Sequence, residues 1–185
     1  MAVLPLKVVP DPVLRQKAKR VKVIDASIRR LAEDMVDTMR HHEGVGLAAN
    51  QVGVLKRVIT IEVPEEPVRV LINPEIIKRE GERELEEGCL SIPEYRGLVT
   101  RALWVRAKAL ELGGTEVRIR AEGILAQALE HEIDHLNGIL YIDHLKRHED
   151  LWKLEPQEQE ASQEEEALDS EEAVEAPETE AAATR

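Results

Sequence analysis

The residues best suited to bond-breaking chemistry fall in the stretch "QALEHEIDHLNG", Gln127 to Gly138, where two histidines stand four positions apart. On a helix, at about 100° per residue, His131 and His135 lie about 40° apart and one turn apart along the axis. Two imidazoles so placed can share one metal ion. Glu132, about 100° to one side, can reach a water molecule at that ion without being a ligand. Such is the physical content of H-E-x-x-H: two ligands and a general base on one rigid element. A bare pair of histidines at this spacing is more often a polar helix face. The intervening glutamate and the helix stop at Gly138 favour the metal reading.

A hydrolytic site of this type needs a third protein ligand and an open position. The single cysteine, Cys89, stands in "EGCLS". Its thiolate suits a divalent transition metal, and Gly88 lets the backbone approach closely. The plainer alternative is a buried, inert thiol, against which the polar neighbours Glu86, Glu87 and Ser91 argue. A third stretch, "GVGLAANQVG", Gly44 to Gly53, is a tight small-residue segment able to lie against a ligand. Gln51 within it offers an amide N–H to a developing oxyanion. Taken alone, that segment is equally a structural turn.

Several elements must hold these residues. "SIRRLAEDMVDTMRHHEG" carries Ile28, Leu31, Ala32, Met35, Val36 and Met39 at helical spacing, with Asp25 or Ser27 as cap and Gly44 beyond its end. "RVITIEV" and "VRVLINP" read as strands around a turn at Pro64–Pro67. The segment "KREGERELEEGCLSIPEYRG" reads as polar connection, followed by strands "LWVRAKALEL" and "TEVRIRAEG" joined at Gly113–Gly114. The metal helix is expected from about Gly123 to Asn137. A short "ILYID" and a small helix to Leu154 close the body. Helices toward both ends with strands between them predict an α+β domain.

Composition narrows the class. A chain of 185 residues holds one domain with a proper core. Aromatics are 2% and Phe is absent, so the core must be aliphatic. No apolar run approaches the roughly 18 residues that span a bilayer, and "MAVLPLKVVPDP" lacks the pattern of a secretory signal. One cysteine allows no internal disulfide, which suits a cytoplasmic location. The net charge of −12 is uneven. Residues 155–185 hold 12 acids and one base, leaving 1–154 near neutrality. We therefore expect a domain over 1–154 and a disordered acidic tail over 155–185.

In order, "GVGLAANQ", "EGCLS" and "HEIDH" resemble the marks of the peptide deformylase family, G-x-G-L-A-A-x-Q, E-G-C-L-S and H-E-x-D-H. The resemblance covers about Leu4 to Leu154, including "DPVLRQKA" and "HLNGILYIDHL", and leaves the acidic tail outside. It implies an α+β fold of mostly antiparallel strands packed around a central helix carrying HEIDH. It further implies that Cys89, His131 and His135 hold one divalent ion, Fe(2+) first and Zn(2+) as the alternative. Glu132 would be the general base, and the Gln51 side chain and Leu90 N–H would stabilise the oxyanion. Val45, Gly46 and the Gly88 region would pair with an extended peptide. Ile124, Gln127 and Ala128 would line the methionine pocket, with Arg96 pairing Glu87 at its rim. Asp134 is expected to be structural rather than a ligand.

The activity implied is removal of the formyl group from the N-terminal formyl-methionine of new polypeptides, releasing formate. Implied partners are N-formyl-methionyl nascent peptides and, transiently, the ribosome, with neither membrane nor sequence-specific nucleic acid. His41, His42, His144 and His148 read as solvated, and "RQKAKRVK" as a solvated basic face. Two rivals remain. A zinc peptidase shares H-E-x-x-H but usually recruits its third ligand after the helix. A catalytically dead binding module would have lost Glu132, Gln51 or a ligand.

Overall fold

The computed structural model describes residues 2–155. The first helix, α1 (Ala26–His41), starts where the Asp25 carboxylate accepts the Ser27 and Ile28 N–H groups at 2.9 and 3.1 Å. Its stripe of Ile28, Ala32, Met35 and Met39 is buried. Five strands follow in one sheet: β1 (Gly46–Ala48), β2 (Val58–Ile61), β3 (Arg69–Glu80), β6 (Trp104–Leu110) and β7 (Glu116–Glu122), in the spatial order β1-β2-β3-β6-β7. A second sheet has the order β4-β5-β8, from Arg83–Cys89, Ile92–Arg101 and Leu151–Lys153. Every named strand pair is antiparallel.

The second helix, α2 (Gly123–Leu136), contains the whole HEIDH motif. Its Leu125, Ala126, Leu129, Ile133 and Leu136 form one aliphatic cluster with Ile59, Ile61, Leu71, Val105 and Ala107 of the large sheet. A second cluster joins Met35 and Met39 of α1 to Leu47, Val58 and Ile72. At β2 the sheet is thus covered on both faces, and all four residues of that strand are buried, whereas β7 exposes Glu116, Arg118, Arg120 and Glu122 on one face. The α2 stop is built as expected. Gly138 has φ +74°, and the Ile139 N–H reaches back to the Asp134 carbonyl at 3.0 Å. A side chain at Gly138 would also run into the Arg15 backbone.

Three local expectations change. The polar segment from Lys78 to Gly97 is not a connection: it ends β3, forms β4 and begins β5. Glutamates on the exposed face of β4 hide its alternation, since only one side of that strand is covered. The small-residue stretch contains a strand, β1, before a 3-10 turn at Ala49–Val52. The closing helix is instead two 3-10 turns, Tyr141–His144 and His148–Asp150, followed by β8. The β5 edge offers ladder partners there, and Tyr95, Arg96 and Gly97 take Lys153, Trp152 and Leu151. The compact body runs to Lys153. The expected acidic tail lies, beyond Glu155, outside the described residues.

Candidate active site

Cys89 closes β4 at a register shift beside Gly88, and this bulge turns its thiol toward α2. The ligand-type atoms of Cys89, His131 and His135 all lie within 4.8 Å of one another, with Cys89 Sγ 3.2 Å from His135 Nε2. Three residues from two elements thus face one point. The donor set of one thiol and two imidazoles suits a borderline-soft divalent ion such as iron or zinc. Burial pushes the Cys89 thiol up, but the charges and hydrogen bonds of His135 and His131 outweigh it and hold the thiol well below its ordinary value.

A buried ionic chain orients His131. Its Nδ1 lies 2.9 Å from Glu87 Oε2, so its other ring nitrogen is left for the shared point. Glu87 is itself gripped by Arg101, whose Nε and Nη2 donate to its two oxygens at 2.7 and 2.9 Å. Arg101 Nη1 donates to Asp134 at 2.6 Å, and His144 Nε2 lies 2.8 Å from the same Asp134 oxygen. Burial raises the Glu87 carboxyl, yet the hydrogen bonds of His131 and Arg101 bring it down to about 2. Burial likewise lowers Arg101, and its two carboxylate partners more than reverse that.

Glu132 is set apart from this chain. It is 4% exposed, and its Oε2 has no hydrogen-bond partner. Burial raises its carboxyl to about 7, against the pull of His131 and His135. It packs on β1 at Gly46, where an added Cβ would come within 2.9 Å of the Glu132 Cγ and Cδ. Gly46 is therefore glycine for want of room rather than for its backbone angles.

Gln51, 1% exposed, sits on the 3-10 turn after β1. Its Oε1 accepts the Ala48 N–H at 2.8 Å, which turns its amide N–H toward Ser91 Oγ at 3.2 Å and Cys89 Sγ at 3.6 Å. Leu90 follows Cys89 in the β4–β5 turn. β1 is an edge strand. The Val45 carbonyl already accepts the Glu62 N–H at 2.9 Å, so by antiparallel alternation Gly46 offers its N–H and C=O to the open edge. Ile124, Gln127 and Ala128 lie on the two turns before His131, and Gln127 Nε2 reaches the Glu86 carbonyl at 3.2 Å.

Two sequence expectations fail. Arg96 does not pair with Glu87: it lies over Gly88, where any side chain would meet its guanidinium, and Arg101 holds Glu87 instead. His144 is not a plain solvated side chain, because it joins Asp134 at the end of the ionic chain. Asp134 is structural, as expected. Arg101 went unnoticed in the sequence. Its signal was faint: an arginine on the covered face of β5, in phase with Gly97 and Val99.

A thiol and two imidazoles brought to one point, with a buried carboxyl beside them, define a metal-dependent hydrolase. The profile of the polypeptide deformylase family matches residues 3–150, and the chain belongs to that family. It is 51% identical over 160 residues to a peptide deformylase of Dehalococcoides mccartyi, covering 86% of this chain and 96% of that one. With a peptide deformylase of Halothermothrix orenii the identity is 55% over 148 residues, covering 80% and 96%. Among solved structures, the Thermotoga maritima peptide deformylase superposes with TM-score 0.77 at 38% identity, covering 80% of this chain and all of that one. The Synechococcus elongatus peptide deformylase in complex with actinonin gives 0.78 at 41%, covering 81% and 82%. The reaction is the metal-dependent removal of N-formyl groups from nascent polypeptides. No helix among the described residues is long and apolar enough to cross a membrane.

Proposed function

We propose that Cys89, His131 and His135 hold the divalent ion of this reaction and that Glu132 moves its protons. One observation carries the assignment: a buried, unpartnered carboxyl lies next to three convergent ligand atoms and outside the ion pairs around them. The ion supplies a Lewis acid that acidifies a water molecule and polarises the formyl carbonyl. Glu132 takes a proton from the attacking water as its oxygen bonds to the formyl carbon. The C–N bond then breaks, and Glu132 passes that proton to the departing amine, leaving a free N-terminus and formate. The Gln51 amide and the Leu90 N–H steady the negative oxygen formed between these steps. An extended formyl-methionyl peptide pairs along Gly46, with Val45 and Gly88 flanking it and Ile124, Gln127 and Ala128 facing its methionine.

The donor set suits Fe(2+) and Zn(2+) alike; the family resemblance puts Fe(2+) first, with Zn(2+) as the alternative, and metal analysis of anaerobically purified protein separates them. The catalytic domain is 1–154, the tail 155–185 lies outside it, and the enzyme works in the cytoplasm in transient contact with the ribosome. The test of the base is Glu132→Gln. This variant should keep its metal and lose at least the roughly 10²–10⁴-fold that general acid–base catalysis supplies. Formate release from a formyl-methionyl peptide, run beside the acetylated analogue, reads the loss. Near-normal turnover would rule Glu132 out.

A further inference from the structure

On the side of α2 turned away from His131 and His135, Ile133 lines a separate cleft of about 520 Å³. Arg20, Arg57 and Arg79 stand around it, and Ile76 joins Ile133 in its apolar lining. Arg20 pairs with Glu75 at 2.6 Å, Glu75 is shared with Lys108 at 3.0 Å, and Arg79 pairs with Glu130 at 2.6 Å. Among the described residues Arg57 makes no ion pair. Its guanidinium donates to the Pro74 carbonyl at 3.0 Å, Asn137 Oδ1 at 2.9 Å and the Leu136 carbonyl at 3.5 Å. Burial pushes its pKa down, and the Glu75 charge offsets that only in part. Three arginines and one carboxylate, Glu75, line the cleft, an excess of two positive charges, and the partners from outside the lining, Lys108 and Glu130, cancel each other. The end of α2 and the Pro74 carbonyl of β3 together take three hydrogen bonds from Arg57, whereas a guanidinium has five N–H groups.

We propose that this cleft binds a phosphomonoester, its dianionic head among the three guanidinium groups and its organic body along Ile76 and Ile133. A dianion matches the excess charge, where a single carboxylate leaves half of it uncompensated. Planar guanidinium forks fit phosphate oxygens in pairs. The volume falls within the roughly 300–1,000 Å³ usual for small-molecule sites, well beyond what inorganic phosphate alone fills. None of these residues belongs to the deformylation site, so the proposal stands apart from that assignment.

The experiment is titration of the metal-loaded full chain with AMP, followed by backbone amide chemical shifts, with adenosine as the neutral control. AMP should give saturable shifts centred on Ile76, Ile133 and Asn137, and adenosine should not. Arg20→Glu, on the exposed rim, should weaken AMP by about tenfold or more, the size of one lost charge-assisted hydrogen bond. It should leave deformylation of a short formyl peptide unchanged, which shows the fold intact. Arg57→Lys, which keeps the charge but loses the fork, should weaken AMP less than Arg20→Glu does. A 5′-phosphorylated oligouridylate identifies the source. Tighter binding than AMP at the same residues assigns an RNA end, and weaker binding a free nucleotide. Equal shifts with AMP and adenosine, no binding by either phosphate probe, or shifts gathered on Cys89, His131 and His135 would each overturn the proposal.

Discussion

Cys89 is both the softest donor of the site and its most exposed weakness, since a thiolate that holds a metal is also the form that oxidises. Cys89→Ser replaces it with a poorer donor for such an ion. Its metal affinity should fall by more than the roughly 10–100-fold that loss of an outer partner costs. Competition with a chelator measures this, and parent-like affinity would remove Cys89 from the ligand set. Gly46 constrains the site from the other side. Gly46→Ala puts a methyl where the Glu132 carboxylate packs, so the proposed base must move while the three proposed ligand residues stay. A displacement of about 1 Å can cost on the order of 10²-fold in rate. The variant should therefore lose turnover while binding metal normally, a split that activity and metal content report together.

Among the elements, β5 does work that its sequence barely advertises. Arg101, 4% exposed, bridges Glu87 of β4 and Asp134 of α2, fastening the small sheet to the metal helix. The two carboxylates it neutralises neighbour the candidate ligands, so the same contacts that join the elements orient the His131 ring. Arg101→Gln leaves two buried carboxylates without their cation. It should cost about 3–5 kcal/mol, the usual result of breaking a buried ion pair from one side. Denaturant unfolding measures the stability. Metal affinity should drop with it by roughly 10–100-fold, as the outer support of a ligand is lost. A variant that is destabilised but holds metal as tightly as the parent would make the chain of ion pairs purely structural.

For the whole molecule, the uneven charge is the feature that deformylation does not use. Residues 155–185 carry −11 while 1–154 are nearly balanced. If the enzyme works beside the ribosome, as proposed, this polyanion meets ribosomal RNA, itself a polyanion. Removing residues 155–185 should leave turnover on short formyl peptides unchanged, because every residue placed at the site precedes Leu154. Ribosome association at low salt should strengthen, and the gain should fade as salt screens charge beyond about 8–10 Å. Co-sedimentation of both forms at two salt concentrations decides it: equal binding throughout means the tail only adds solubility.

What the sequence determined alone is what chemistry ties to short spacing. His131, Glu132 and His135 lie within two turns of one helix, so helical geometry places them before any packing is known. The caps at Asp25 and Gly138 are equally local, set by one side chain or one backbone angle. "GVGLAANQ", "EGCLS" and "HEIDH" carried the family because motif order survives without coordinates. Only tertiary structure could show that Cys89 meets His135 across 46 positions, or that Glu87 chooses Arg101 over Arg96. Pairing of that kind depends on which strand faces and register bring charges together, and no local pattern records it. Strands β4 and β8 were hidden for a related reason. A strand covered on one side, or stabilised by the edge it joins, needs little hydrophobic signal of its own, and its partner supplies the ladder that makes it a strand.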